Sequence, residues 1–414
     1  LKTEKPEIKK QEKNMQAVML VAGKSTRTYP LTLTRPKPML PIANITLIEH
    51  NLTELEGLVS EVILIVGYMQ EMIRDYLGDS WHDIKITYCE QKEQLGTGHA
   101  VLQVEPLING RFVVMNGDDI FSNTDIRQLM QLDAGALVKH VEDPSQYGVY
   151  KVDEKNRVLD LVEKPKEFIG TLTNIGCYLF NPDFFADLHA MPLSERGEYE
   201  ITSAILSYAK RKDFYVSEIQ GFWLTNGLPW ELLLSQDYFM NQMTTSKIEG
   251  TIELGVTING PVEIGPGTVV KSGSYIEGPV KIGNDCRIGP NCFIRANTAI
   301  GHYCNIGHAV EIKNSIIMDD TNICHLSYVG DSVIGSEVNL GAGFIVANVR
   351  HDAATVKSKV KGKLLDTGLA KLGTIIADGV KTGIHTSVLP GRKIWPNRRT
   401  YPGQVVDDDL TEEK

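Results

Sequence analysis

Residues 252–312 read IELGVTINGPVEIGPGTVVKSGSYIEGPVKIGNDCRIGPNCFIRANTAIGHYCNIGHAVEI. In this stretch Ile252, Ile258, Ile264, Val270, Ile276, Ile282, Ile288, Ile294, Ile300, Ile306 and Ile312 fall in unbroken steps of six. Four positions after each of the first ten stands a small or β-branched residue: Val256, Val262, Thr268, Ser274, Val280, Cys286, Cys292, Thr298, Cys304 and Val310. Gly often follows the aliphatic, as at Gly265, Gly283, Gly289, Gly301 and Gly307. A period of six fits neither a helix nor a simple alternating strand. It fits a triangular solenoid with one short strand per side and three hexads per turn. The aliphatic points inward, the small residue fills the corner, and Gly or Asn there permits φ > 0.

Working outward, the chain has 414 residues, enough for two or more domains with full cores. Apolar residues make up 42% and charged residues 23%, the balance of a globular protein. The net charge of −10 argues against a nucleic-acid surface, while leaving room for local basic pockets. No apolar run has the length of a membrane span and no signal-peptide pattern opens the sequence, so a cytoplasmic protein away from membranes is expected. The six cysteines form no CxxC pair, and three of them occupy corner slots of hexads, which reads as packing rather than disulfide or metal.

Residues 1–14 are charged and aperiodic, which predicts a disordered extension. Over 15–228 short apolar runs (17–21, 62–66, 112–115, 136–138) alternate with helix-like stretches (69–77, 125–132). That alternation predicts an α/β domain with a mostly parallel sheet. Residues 229–249 are expected to link it to the solenoid, with a helix over 229–243 that has Pro229 at its start. The hexads span 250–405. They break at a run containing Lys357, Lys359, Lys361 and Lys363 and resume near Leu372. The acidic end, 406–414, reads as solvated.

The first apolar run leads into Ala22-Gly23-Lys24-Ser25-Thr26-Arg27, followed by Arg35-Pro36-Lys37-Pro38-Met39-Leu40-Pro41-Ile42. A small-residue turn after a strand lets backbone N–H groups reach a phosphate, and Arg27 and Lys37 supply fixed positive charge. The Gly-Lys-Ser triplet is not a P-loop, because the first Gly of that motif would fall on Val18.

These two segments resemble the signature AGxGTR…PKP[ML]LP[IV] of sugar-1-phosphate nucleotidylyltransferases, with Ser25 where that family usually has Gly. A negative φ would let Ser25 fit. Further pieces agree in order. Gln91-Lys92-Glu93-Gln94-Leu95-Gly96-Thr97 looks like the base-reading stretch, and Gly117-Asp118 like the magnesium-binding pair. Gly148, Glu163-Lys164 and Asn174 look like sugar-pocket elements, and 198–202 like the segment that closes the pocket. The resemblance covers about 15–245 and implies a Rossmann-like nucleotidyltransferase domain.

The implied reaction joins a sugar-1-phosphate to the α-phosphorus of UTP or dTTP. Ala22 and Gly23 would approach the nucleotide, Arg27 the β/γ-phosphates and Lys37 the reacting phosphates, while Asp118 would hold Mg²⁺. Relatives place a second metal ligand in a WxDxG-like segment. Here that segment is Trp223-Leu224-Thr225-Asn226-Gly227, which leaves Asn226 as an uncharged oxygen donor.

The solenoid's later residues resemble the acetyltransferase half of the bifunctional enzymes that make UDP-N-acetylglucosamine, in their archaeal form. That fold is a left-handed parallel β-helix of hexapeptide repeats. The matching positions are Arg295, Lys313, His325, Tyr328, Asn339, Ala342 and Asn348. By resemblance His325 is the base, while Arg295, Lys313, Tyr328 and Asn339 hold an amino-sugar phosphate. Ala342 and Asn348 meet acetyl-CoA. His302 and His308 read as solvated rung residues. Lysines of the 357–363 run would either meet coenzyme A phosphates or lie in solvent. A homotrimer is expected from the habit of such solenoids. Two other readings stay open from sequence: a nucleotidylyltransferase whose solenoid only oligomerises or regulates, and a non-enzymatic exchange-factor subunit with the same layout.

Overall fold

The structure, a computed structural model, describes residues 15–411; the extension expected over 1–14 lies outside the described residues, as do 412–414. Contacts group the chain into two units. The residues through Gly23 join Ile48–Leu224 in one, and Lys24–Leu47 joins Thr225 onward in the other. The basic segment around Arg27 and Lys37 is therefore grouped with the solenoid.

In the first unit, strand Gln16–Leu20 lies between Glu61–Val66 and Phe112–Asn116, parallel to both. Ile84–Glu90 extends this parallel core beyond Glu61–Val66. Ala17, Val18, Met19 and Val62 to Val66 are all fully buried, as strands covered on both faces require. On the other side Leu172–Phe180 runs antiparallel to Phe112–Asn116 and also pairs antiparallel with Gly135–His140. The sheet expected as mostly parallel is thus mixed. Beside it Phe180 stacks on Phe184 with ring centroids 3.7 Å apart, and Phe112, Tyr208 and Phe214 close the aromatic cluster. Each such buried ring contributes roughly 2 kcal/mol of apolar burial.

In the second unit the hexads form a parallel β-helix of three sheets, with eight, six and eight strands. The inward aliphatics from Ile264 to Ile312 share one core with Ile323, Leu340, Val388 and Ile394, while Ile252 and Ile258 at the first coil are partly buried. Early coils stack residues 18 apart, as Ile264 on Ile282 and Ile282 on Ile300. From Ile300 the spacing is 17, onto Ile317 and then Ile334. The unbroken sixes end at Ile312 because the next turns are one residue shorter, and the spacing returns to 18 after the insertion, from Ile376 to Ile394.

The corners take up the positive φ expected of Gly or Asn there, as at Gly267, Gly273, Asn291 and Asn297. Positive φ falls on the residue just before the small one, as at Asp285, Asn291, Asn297 and Tyr303. Of the Gly residues after the aliphatic, Gly289 has φ 94, while others serve coil spacing. A Cβ at Gly283 would sit 2.6 Å from Gly301 O, and one at Gly307 would sit 2.0 Å from Cys324 O. The corner side chains also donate hydrogen bonds to the next coil: Thr268 Oγ1 to Gly283 O at 2.6 Å and Cys286 Sγ to Gly301 O at 3.0 Å. All six cysteines are free.

The lysine run folds as an antiparallel hairpin, Lys357–Val360 with Lys363–Asp366, inserted where Val333 stacks on Ile375. The helix expected over 229–243 spans Glu231–Met240, and the first coil strand starts at Lys247. The acidic end is not simply solvated: Asp408 accepts two hydrogen bonds from Lys359 Nζ, and Leu410 N donates to Lys393 O. No helix is long and apolar enough to cross a membrane among the described residues.

Candidate functional site

In the first unit the base-reading and sugar-pocket candidates assemble at the ends of strands. Gln94 Nε2 donates to Ala22 O at 2.8 Å, which ties the 91–97 loop to the turn after the first strand. Gln91 Nε2 is shared between Gly96 O at 3.3 Å and His99 Nδ1 at 3.2 Å. Gly96 has φ 116, and a Cβ there would lie 2.5 Å from Tyr199 O, so this loop approaches the 198–202 segment too closely for any side chain. Tyr199 N donates to Leu95 O and Ile201 N to Thr97 Oγ1, which completes the staple. At Gly23 a Cβ would meet nothing within 4 Å, so the backbone there borders open space.

Gly117 N donates to Leu20 O, which sets Asp118, half-buried, at the carboxyl end of Phe112–Asn116 beside that of Gln16–Leu20. Ligands of open α/β sheets bind at such strand ends. Asn174 Nδ2 donates to Tyr178 OH at 2.8 Å, and its Oδ1 accepts from Gly176 N. Glu163 is backed by Gly148, where a Cβ would lie 3.0 Å from Glu163 Oε2. Lys164, at φ 46, donates its N–H to Tyr147 O.

Arg196, which sequence reasoning passed over, reaches Glu163 at 3.4 Å and Glu200 at 2.8 Å. Burial, helped by the neighbouring Glu200, pushes the Glu163 carboxyl above the usual range, against the pull of Arg196 and Lys164. The Tyr150 hydroxyl is fully buried with no hydrogen-bond partner among the described residues, and burial raises its pKa. An orphaned hydroxyl of this kind suits a polar ligand.

The second unit holds the basic segment. Ser25 adopts φ 49 and ψ 50, not the negative φ that would let a Ser fit without strain, and starts the turn Thr26–Thr28. Its carbonyl accepts from Thr28 N and Thr32 Oγ1, both at 3.0 Å, which holds a conformation that disfavours a β-carbon. Lys37 is almost wholly buried. Arg27 and Lys37 both act on Glu231, another residue missed from sequence. Burial raises the pKa of its carboxyl, while the Leu228 N–H at 2.8 Å and these two cations lower it. Asn226 is fully buried just before Gly227, where a Cβ would approach Arg27 Nη2 to 3.3 Å.

The same segment is bound to the β-helix itself. Asp378 accepts from Thr34 Oγ1 at 2.6 Å and Arg35 Nη2 at 2.8 Å, and Arg35 Nη2 also reaches Ser336 Oγ at 2.9 Å. Asn44 Nδ2 donates to Ile300 O at 2.7 Å. Gln236, fully buried on its helix, accepts from Ala43 N and donates to Asn297 O and Ser315 O.

On the β-helix, four of the predicted residues fall on one sheet or at its margin. Arg295 reaches Glu311 at 2.9 Å and lies over the Phe293 ring. Asp331, 3% exposed, accepts from Lys313 Nζ at 3.2 Å, Asn314 Nδ2 at 2.8 Å and Asn348 Nδ2 at 2.5 Å. Asn348 also donates to Tyr328 OH at 3.1 Å. Asp331 is the hub of this cluster and had been given no role. Its signal was present in sequence, since it stands 17 residues after Asn314, one coil on.

The inserted segment returns onto the cluster, with Leu372 N donating to Asn348 O and Gly373 N to Asp331 O. His325 is exposed at the neighbouring corner, stacked on His308, and its carbonyl accepts from Gly343 N beside Ala342. Asn339 opens the next strand of the His325 sheet rather than joining the Asp331 cluster. His302, expected as solvated, uses its ring Nδ1 to accept from Asn284 N at 2.9 Å.

No group of three or more His, Cys, Asp or Glu side chains able to hold a metal occurs among the described residues. Asp118 in the first unit and Asn226 in the second each carry an oxygen donor of the kind a hard divalent cation such as magnesium takes.

Comparison with known proteins agrees with this division. The nucleotidyl transferase family model matches residues 16–233, and the GMPPB C-terminal domain model matches 276–400. "Bifunctional protein GlmU" of Methanococcus maripaludis is 43% identical over 401 residues, covering 96% of each chain. The "bifunctional sugar-1-phosphate nucleotidylyltransferase/acetyltransferase" of Sulfurisphaera tokodaii is 39% identical, covering 96% of this chain and 98% of its own. A solved UDP-glucose pyrophosphorylase complexed with UDP-glucose superposes on 55% of this chain and 98% of its own, at 27% identity and a TM-score of 0.51. A nucleotidyltransferase sheet, a parallel β-helix and full-length relatives carrying both place this chain in the family of bifunctional GlmU proteins, enzymes with a sugar-1-phosphate nucleotidylyltransferase half and an acetyltransferase half.

Proposed function

We propose that the chain makes a UDP-N-acetylhexosamine by acting twice on one sugar phosphate. At the β-helix, glucosamine-1-phosphate is N-acetylated from acetyl-CoA. His325 takes the ammonium proton, the freed amine attacks the thioester carbonyl, and the C–S bond breaks to release the coenzyme A thiol. Arg295 and Lys313 hold the sugar phosphate, Tyr328 and Asn339 orient the sugar, and the Ala342 N–H and Asn348 face the acetyl group.

In the nucleotidyl half a sugar-1-phosphate oxygen attacks the α-phosphorus of UTP or dTTP. The α–β phosphoanhydride breaks and pyrophosphate leaves. Gln91, Gln94, Gly96 and Thr97 read the pyrimidine, Ala22 and Gly23 border the nucleotide, and Gly148, Glu163, Lys164 and Asn174 hold the sugar. Arg27 and Lys37 neutralise phosphate charge. Asp118 would hold Mg²⁺ as an oxygen donor, Asn226 is the second candidate donor, and the bound ion would add to the neutralisation of phosphate charge. The active assembly is a homotrimer of a cytoplasmic enzyme with small-molecule substrates.

The observation that most supports catalysis at the β-helix is the buried Asp331 carboxylate gathering Lys313, Asn314 and Asn348 on one face. A solenoid that served only as scaffold has no need to bury a carboxylate with three donor side chains. Thiol release from acetyl-CoA with glucosamine-1-phosphate, for wild type and His325→Ala, tests the reading. Turnover abolished in a folded variant is expected. Wild-type inactivity with every amino-sugar phosphate would leave the β-helix as a scaffold.

A further inference from the structure

The turn carrying Arg27 and the tip of the lysine hairpin border one cavity of about 430 Å³, lined among others by Thr26, Arg27, Tyr29, Lys361, Lys393 and Asp409. All these residues belong to the same contact unit. One buried ammonium joins the two walls: Lys393 Nζ donates to Tyr29 O at 3.2 Å and to Lys359 O at 2.7 Å. Ser358 Oγ anchors the hairpin further, to Gly391 O at 2.8 Å. The tip therefore has a fixed place beside the Arg27 turn.

The cations of this cavity are not equivalent. Lys359 is committed to Asp408, and Lys393 to the two carbonyls. Arg27 and Lys361 make no salt bridge to a described residue. Lys361 and Gly362 form the two-residue connection, with φ 49 and 77. That geometry normally takes Asn-Gly or Asp-Gly, because a β-carbon strains the first position. A long cationic side chain kept in a left-handed conformation at the rim of a cavity suggests a function for that side chain.

We infer that this cavity receives the pyrophosphate end of the nucleoside triphosphate, with Lys361 of the β-helix as a second phosphate-binding cation beside Arg27. The inference rests on the nucleotidyl-transfer reading of Arg27 proposed above. It separates Lys361 from Lys357, which lines a different cavity with Arg350 and Arg392.

The test is pyrophosphorolysis of UDP-N-acetylglucosamine by the full-length chain, with inorganic pyrophosphate varied, for wild type, Lys361→Ala, Lys361→Arg and Lys363→Ala. The loss of one charge-assisted contact predicts a KM for pyrophosphate raised roughly tenfold in Lys361→Ala, with kcat changed much less. Lys361→Arg should stay near wild type, and so should Lys363→Ala, on the same hairpin but outside the cavity. The KM for acetyl-CoA should not move. An unchanged pyrophosphate KM in Lys361→Ala, with wild type turning over, overturns the inference alone. A raised acetyl-CoA KM instead would assign Lys361 to coenzyme A and overturn it too. Wild type without any nucleotidyl transfer would overturn the proposed function and this inference with it.

Discussion

The α/β unit and the β-helix hold their polar residues by different means. In the α/β unit they sit on loops whose positions depend on distant partners, as Gln94 depends on Ala22 and Gly96 on Tyr199. In the β-helix they sit on stacked rungs, so Lys313, Asp331 and Asn348 meet because successive coils stack 17 or 18 residues apart. A periodic scaffold turns sequence spacing into spatial contact. A loop-built site does so only after the chain has folded.

If that contrast holds, substitutions on the rungs should harm stability and site together. Asp331→Ala strands the partly buried Lys313 and should cost on the order of 3 kcal/mol, with acetyl transfer lost and nucleotidyl transfer kept. Denaturant unfolding alongside both assays checks this. Loss of nucleotidyl transfer as well would show that the rung cluster is not local.

The buried Lys393 offers a second measurement, on the segment shared by Arg27 and the hairpin. Burial lowers its pKa from 10.5 to about 8, against the opposing charge of Asp409. Between pH 8 and 10.5 the unfolded chain therefore binds more protons than the folded one, and stability rises with pH across that window. The full effect is about 3 kcal/mol. Comparing unfolding free energies of wild type and Lys393→Met from pH 7 to 10 isolates it. Parallel pH profiles would show that the ammonium has an ordinary pKa.

The glycines separate the two regions most directly. Gly307→Ala forces a Cβ to 2.0 Å from Cys324 O and should destabilise by about 1–3 kcal/mol. Gly23→Ala meets no atom, should change stability by less than about 0.5 kcal/mol, and should instead weaken nucleotide binding. Thermal unfolding and the UTP KM distinguish the two outcomes. A modest effect of opposite sign is expected at Ser25, whose φ of 49 should make Ser25→Gly stabilising by about 1 kcal/mol. A destabilised Ser25→Gly would mean that the hydroxyl contributes more than the strain costs.

Much of the β-helix and its site was legible in the sequence. The steps of six from Ile252 to Ile312 named the inward face, while Arg295, Lys313 and Tyr328 came from the resemblance. Asp331 carries no role in that reading although it lies one 17-residue coil after Asn314. The corner Gly and Asn do take positive φ, at Gly267, Gly273, Asn291 and Asn297, but Asp285 and Tyr303 do so as well, which residue type alone does not foretell.

In the α/β half the signature segments located Gln91, Asp118 and Asn174, but not Arg196, which reaches Glu163 across 33 residues. Nor did it reveal Glu231, whose nearness to Arg27 and Lys37 depends on a separation of about two hundred positions. The sequence by itself determined the repeat, the inward residues and the chemistry of the two basic segments, because these depend on local period and residue type. Only the tertiary structure decided that Arg35 is held by Asp378, that Ser25 is left-handed, and that Lys393 ties the Arg27 turn to the hairpin. The Arg35–Asp378 and Lys393–Tyr29 contacts join residues hundreds of positions apart, which the pattern of neighbouring residues does not encode.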